Sequence, residues 1–344
     1  MRQALNAYTD GMRRVLHAPA LLAGAYFALL LVTLPTLRSV QQAVADQLGA
    51  SAWADEVAAR PDIDWFAEFA HTARGAARDL QPSVIGFAAV LRNFSDLVES
   101  VASRRPSGSS PEAWSILALV FLGGTFLSGG ILDRYARQRR TRAHGFFGAS
   151  GALFFRLLRL NLGVLLIHAA VLGTYAWIAG ALYGWLTRDL TSERTAFLFA
   201  LALTIGGAIL ALAITIVADS ARVRMVVEDR RSAIFALAAG ARFARRHAGG
   251  LLLLYALLLA SLTALLVLYA LAAPTGASTA YPFWAGIVAG QIYVAGRIAL
   301  KLLTYSSVTS FFQSALAHAS YVAAPMPVWP ESPAVETLGP PVDR

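Results

Sequence analysis

RRSAIFALAAGARFARRHAGGLLLLYALLLA, residues 230–260, changes character at its midpoint. As far as His247 it sets arginines among small and apolar residues; from Ala248 on it carries no charge. A helix of the first kind lies at a membrane interface, burying leucine and phenylalanine while its arginines reach phosphate and water. A run of the second kind enters the hydrocarbon. Weaker copies of this pair stand at residues 6–30 and 146–172. In the first copy Gly11, Arg13, Arg14, His17, Leu21, Leu22 and Tyr26 are spaced like Gly240, Arg242, Arg245, Arg246, His247, Leu251 and Tyr255, with fifteen residues from glycine to tyrosine in both. The middle copy, from Gly151 through Arg156 and Arg159 to His168, fits less closely.

Composition agrees with a membrane chain. Of 344 residues 57% are hydrophobic and only 14% charged, where a soluble domain carries about 25% charge. The net charge of +9 rests on arginines that flank apolar runs. That placement fits a positive-inside bias and gives no reason to invoke nucleic acid. Lys301 is the single lysine among 29 basic residues, and there is no cysteine, which excludes disulfides and thiolate chemistry.

An uncharged stretch of about 20 residues crosses roughly 30 Å of hydrocarbon. Residues 18–37 and 113–132 each form one such stretch, followed by runs at about 160–186 and 195–218. From 248 to 296 there is no charge, too long for one span, and Pro274, Gly276 and Pro282 mark a turn within it. It divides into spans at about 249–273 and 283–303. The expectation is therefore an all-α polytopic membrane protein with six transmembrane helices. A threefold repeat of interfacial helix plus helical hairpin organises it. The segments after spans two and four are arginine-rich, so both termini are expected in the cytoplasm of a bacterial inner membrane. Pro35 is expected to bend or end the first span, and residues 302–324 to continue along the membrane. Residues 325–344, with six prolines, are expected to be disordered.

Residues 38–112 form the exterior insertion, with ten of the twenty acidic residues. Val84, Phe87, Leu91, Phe94 and Val98 follow the three-and-four spacing of one helix face. That face either packs on the cluster of Ile63, Trp65, Phe66 and Phe69 or receives a protein partner.

Candidate lipid or phosphate contacts are Arg134, Arg137, Arg156, Arg159, Arg222, Arg242, Arg245 and Arg246. Each arginine near an anionic leaflet adds on the order of 1 kcal/mol, although snorkelling and topology control need the same residues. Asp133 and Asp219 stand three or four residues before an arginine, close enough for local ion pairs. A candidate cavity is lined by His168, Arg297 and Lys301. The last two, four apart on one helix face, need Asp219 or Asp133 as counter-charge if they lie in hydrocarbon. A GxxxG spacing at Gly286 and Gly290 suits close helix packing.

No catalytic motif emerges, no two histidines stand at metal-ligand spacing, and no cofactor is expected. At GGILDRYARQRR (129–140), FFRLLRLN (154–161) and DSARVRMVVEDRRSA (219–233) the sequence resembles a group of bacterial six-span membrane proteins with no assigned function. The resemblance runs through most of residues 1–320. At a greater distance, the repeated helix-then-span layout is similar to the membrane domain attached to some glycerophosphodiester phosphodiesterases. No phosphodiesterase domain accompanies it here, so that activity is not implied. The expected function is a non-enzymatic scaffold or accessory subunit, binding a partner through residues 38–112 and anionic headgroups through the basic helices. The alternative is a transporter or lipid-handling protein with a cavity between the repeats.

Overall fold

The computed structural model describes residues 2–49, 63–73, 77–78, 111–138, 142–188, 190, 192–272 and 283–318. Among them lie helices α1 (Arg2–Leu16), α2 (Pro19–Gly49), α3 (Ile63–Thr72), α4 (Pro111–Arg137) and α5 (Ala143–Thr187). These are followed by α6 (Glu193–Val227), α7 (Ala233–Arg246), α8 (Ala248–Ala272) and α9 (Phe283–His318). The described residues hold no strand. Among the described residues five helices, α4, α5, α6, α8 and α9, are long and apolar enough to cross a membrane; the α1–α2 pair, bent by 74°, raises this to as many as six.

The breaks have local causes. Pro19 lacks the N–H that would continue α1, so it restarts the chain as the first residue of α2. The Ala18 N–H closes α1 on Val15 O at 3.0 Å. At His247 the backbone leaves helical geometry (φ −115°, ψ 25°) and its N–H bonds Phe243 O at 3.0 Å, separating α7 from α8. The middle copy has neither device, and α5 runs unbroken for 45 residues, roughly 68 Å at 1.5 Å per residue.

Three boundaries differ from expectation. The helix does not stop at Pro35: α2 runs on to Gly49, although the apolar part of the bent pair is Pro19–Leu34. Its extension is held by packing: Trp65 and Phe69 of α3 bury against Val40, Ala43, Val44 and Leu48, with the two rings stacked at 5.2 Å. Tertiary contact thus offsets the one hydrogen bond the proline removes. Helix α6 continues past residue 218 to Val227, which puts Asp219 inside it. Helix α9 continues through 303 to His318; its Ser306, Ser307, Thr309 and Ser310 are buried rather than spread along a membrane surface. The face at Val84, Phe87, Leu91, Phe94 and Val98, and the tail at 325–344, lie outside the described residues.

Phe69 is fully buried, so Phe69→Ala should cost about 3–5 kcal/mol locally. Hydrogen exchange should accelerate in α3 while α4–α9 keep their protection. Unchanged exchange in α3 would show that the aromatic pair does not hold it.

Packing concentrates at one end of the bundle, where α1, α7 and the first half of α5 gather against the last turns of α4, α6 and α9. Helix α1 lies on α9, α5 on α4, and α7 on α6. Each crossing has a small residue at its closest point. A Cβ on Gly11 would meet Ser307 Cα at 2.9 Å, one on Gly130 would meet Ser150 and Phe146, and one on Gly240 would meet Val217 O at 2.9 Å. The main core, including Leu132, Leu251, Leu254, Val308, Phe311 and Phe312, sits at this end. Toward the other end large apolar side chains are exposed, among them Trp177, Trp185, Phe197, Ile205, Trp284 and Leu271. Such surface suits acyl chains and the aromatic belt of a membrane interface.

Candidate functional site

Asp219 is the centre of a polar cluster drawn from five helices. Because α6 continues past it, the carboxylate lies inside the bundle, 1% exposed. One turn on, Arg222 donates to its Oδ1, and Tyr255 of α8 donates to its Oδ2 at 2.8 Å. The Arg222 Nε also donates to Asn161 Oδ1 of α5 at 2.8 Å, and Asn161 Nδ2 donates to Thr125 Oγ1 of α4 at 3.0 Å. Lys301 enters from α9. Its ammonium lies 4.7 Å from the Tyr305 ring centroid, and with Arg222 it supplies the positive charge acting on Asp219.

Charge does not balance here. Arg222 is bonded to the one carboxylate, both of whose oxygens already accept hydrogen bonds, and Lys301 lies near enough to feel its charge. Arg297 stands one turn from Lys301, over the Tyr293 ring at 5.9 Å, and adds a third positive charge on the same helix. Lys301 itself stays exposed, and Arg297 half-exposed, midway along a helix able to cross a membrane. Surplus positive charge beside a single carboxylate favours an anion.

The proposed trio separates. Lys301 and Arg297 adjoin, whereas His168 bonds through Nδ1 to Val164 O of its own helix at 2.9 Å, two turns beyond Asn161 on α5. Among the described residues no hydrogen bond or ion pair joins His168 to either cation. Arg222, expected among the lipid contacts, is instead tied into the Asp219 cluster. Arg242, Arg245 and Arg246 are exposed on α7, and Arg159 is exposed on α5 with its Nε donating to Phe155 O. Arg134 is half-buried beside Tyr135 at the end of α4.

Arg137 and Arg156 come together at the arginine-rich end. Arg137 pairs with Asp133 at 2.7 Å and Arg156 with Asp229, and all four line a cavity of about 430 Å³ between α4, α5 and α6. A further network closes the bundle. Asp10 pairs with Arg14 at 2.6 Å and accepts from Ser310 at 2.6 Å, while Arg14 also donates to Tyr135 O and to Gln313.

Asn161, Thr125, Tyr255, Asp10, Ser310 and Gln313 have roles that the sequence reading did not assign. Tyr255 and Asp219 were visible as features of the repeat, but their contact with each other was not. Among the described residues no group of three His, Asp or Glu gathers to hold a metal. Comparison with protein-family models, with curated proteins and with solved structures finds no match to this chain.

Proposed function

We propose that this is a six-span protein of the bacterial inner membrane that takes an anionic group, a lipid headgroup or a small anion, to Lys301 and Arg297, without covalent chemistry. The carrying observation is the charge surplus around Asp219, one carboxylate against Arg222, Lys301 and, a turn away, Arg297. The arginines collected at the α1–α7 end support cytoplasmic termini. The three small-residue crossings, two between an amphipathic segment and the last turns of the preceding helix and one between α1 and the last turns of α9, support a threefold repeat in which α1 closes the ring on α9.

Lys301→Met and Arg297→Gln test this reading. Each should weaken binding of a phosphate-bearing ligand about 10- to 100-fold, the equivalent of losing one hydrogen bond to a charged group, with insertion unchanged. Binding of anionic phospholipid by purified protein in nanodiscs, measured in both variants, checks it; undiminished affinity in both would end the proposal.

A second reading, the scaffold or accessory subunit, draws support from α3. Packed on the extension of α2, it makes a folded platform beyond the span. On that reading, polar substitutions across Val84, Phe87, Leu91, Phe94 and Val98 should release a co-purifying protein while the spans stay folded.

A further inference from the structure

The cavity at the arginine-rich end shares no residue with the Asp219 cluster and has its own chemistry. Its floor is apolar, formed by Ala149, Ala152, Leu153, Val226 and Val227; its polar edge is Asp133, Arg137, Arg156 and Asp229. An apolar floor beneath two guanidinium groups suits an amphiphile with an anionic head. The volume of about 430 Å³ lies within the range of small-ligand sites.

The two ion pairs differ in a way that matters. Asp133 is 12% exposed and bonded to Arg137 within one helix turn, a fixed local pair. Asp229 is 77% exposed and sits beyond the end of α6 with φ 48°, in the left-handed region that aspartate tolerates at a turn. Its partner Arg156 is only 23% exposed. A largely buried guanidinium is thus covered by a carboxylate that is itself almost wholly in solvent. An incoming anion can replace that carboxylate at little cost, because Asp229 returns to water. Arg137 uses its Nε on Asp133, so its terminal N–H groups remain for the same anion. A guanidinium carries five donors in a fork that matches phosphate oxygens.

We propose that this cavity binds the phosphate of an anionic amphiphile between Arg137 and Arg156, with Asp229 as the group displaced on binding. The site is independent of Lys301, so each can fail without the other.

The test uses the full chain in nanodiscs of zwitterionic phospholipid doped with an anionic phospholipid, reading retained lipid by native mass spectrometry. Arg156→Gln should reduce retention about tenfold or more, the loss of a charge-assisted hydrogen bond. Asp229→Asn should increase retention, because the competing carboxylate is gone; a residue with a purely structural part in the pair would give a decrease. The Arg156→Gln loss and the Asp229→Asn gain should both persist in a Lys301→Met background, where any lipid held at Lys301 is already gone. Displacement of the lipid by millimolar inorganic phosphate would identify the headgroup as sufficient. Failure of phosphate to displace it would show that the apolar floor contributes and that the ligand is the lipid itself. Equal retention in the wild type and Arg156→Gln, or a decrease in Asp229→Asn, would overturn the proposal.

Discussion

Asp219→Ala is expected to destabilise the membrane bundle by about 3–5 kcal/mol, the usual consequence of removing one member of a buried ion pair. The carboxylate serves Arg222 and Tyr255 directly and Lys301 through space. Without it the buried Arg222 has no acid, Lys301 loses its nearby counter-charge, and the buried Tyr255 hydroxyl loses its acceptor. Thermal unfolding of detergent-purified protein measures the loss. The cause can be separated from simple cavity formation by a second variant. Asp219→Leu combined with Arg222→Met removes one charge of each sign and keeps the net charge of the cluster. Apolar replacement of a whole buried pair is often neutral or stabilising, so the double variant should recover most of the loss. A single variant as stable as the wild type would mean that the cluster is not the electrostatic centre described here.

Gly240→Val should separate α7 from α6. Already a methyl group at this position would come within 2.9 Å of Val217 O, 3.0 Å of Ala221 N and 3.1 Å of Ala221 Cβ. The obstacle is mainly backbone, which cannot rotate away, so the two helices must part. Overpacking of this kind costs about 1–3 kcal/mol and can exceed that; the branched side chain and the loss of α7 from its seat put Gly240→Val at the upper end. Parting the helices also breaks the Arg224 hydrogen bond to Ala239 O, which spans the crossing at 2.8 Å. Gly124 supplies the control. It lies within α4, exposed, with nothing within 4 Å of its would-be Cβ. Gly124→Ala should therefore be neutral or gain up to about 1 kcal/mol from the lower flexibility of the unfolded chain. Equal effects at the two glycines would remove the steric explanation.

The long apolar helices and the small packing unit of α2 and α3 were legible because each rests on local patterning. Uncharged runs gave the spans, and Trp65 with Phe69 marked an aromatic cluster before α3 was seen to bury it. The extent of the helices was less legible. A hydropathy window ends a span at Asp219, since an isolated carboxylate is costly in hydrocarbon. Here Arg222 and Tyr255 satisfy it, and the helix continues for eight more residues. Likewise residues 302–324 read as continuing along the membrane, with nothing in the pattern to bury Ser306, Ser307, Thr309 and Ser310. They are instead the small residues that let α1 approach α9, with Ser306 Oγ bonded to Gly11 O at 3.0 Å. Both effects need partners distant in sequence: Tyr255 lies 36 positions from Asp219, and Ser310 lies 300 from Asp10. The candidate cavity was partly legible for the same reason. Arg297 and Lys301 sit four apart on one helix, whereas joining His168 to them needed the register between α5 and α9.

The surplus positive charge at Lys301 is expected to hold an anion. Native mass spectrometry of the wild type and Lys301→Met, both gently extracted from their own membranes, tests it most directly. The expected result is a phosphate-bearing adduct on the wild-type chain that is much reduced in Lys301→Met, a reduction that persists when the Arg156 site is removed by Arg156→Gln. Identical adducts on the wild type and Lys301→Met, or a chain that carries only a protein subunit, would contradict it.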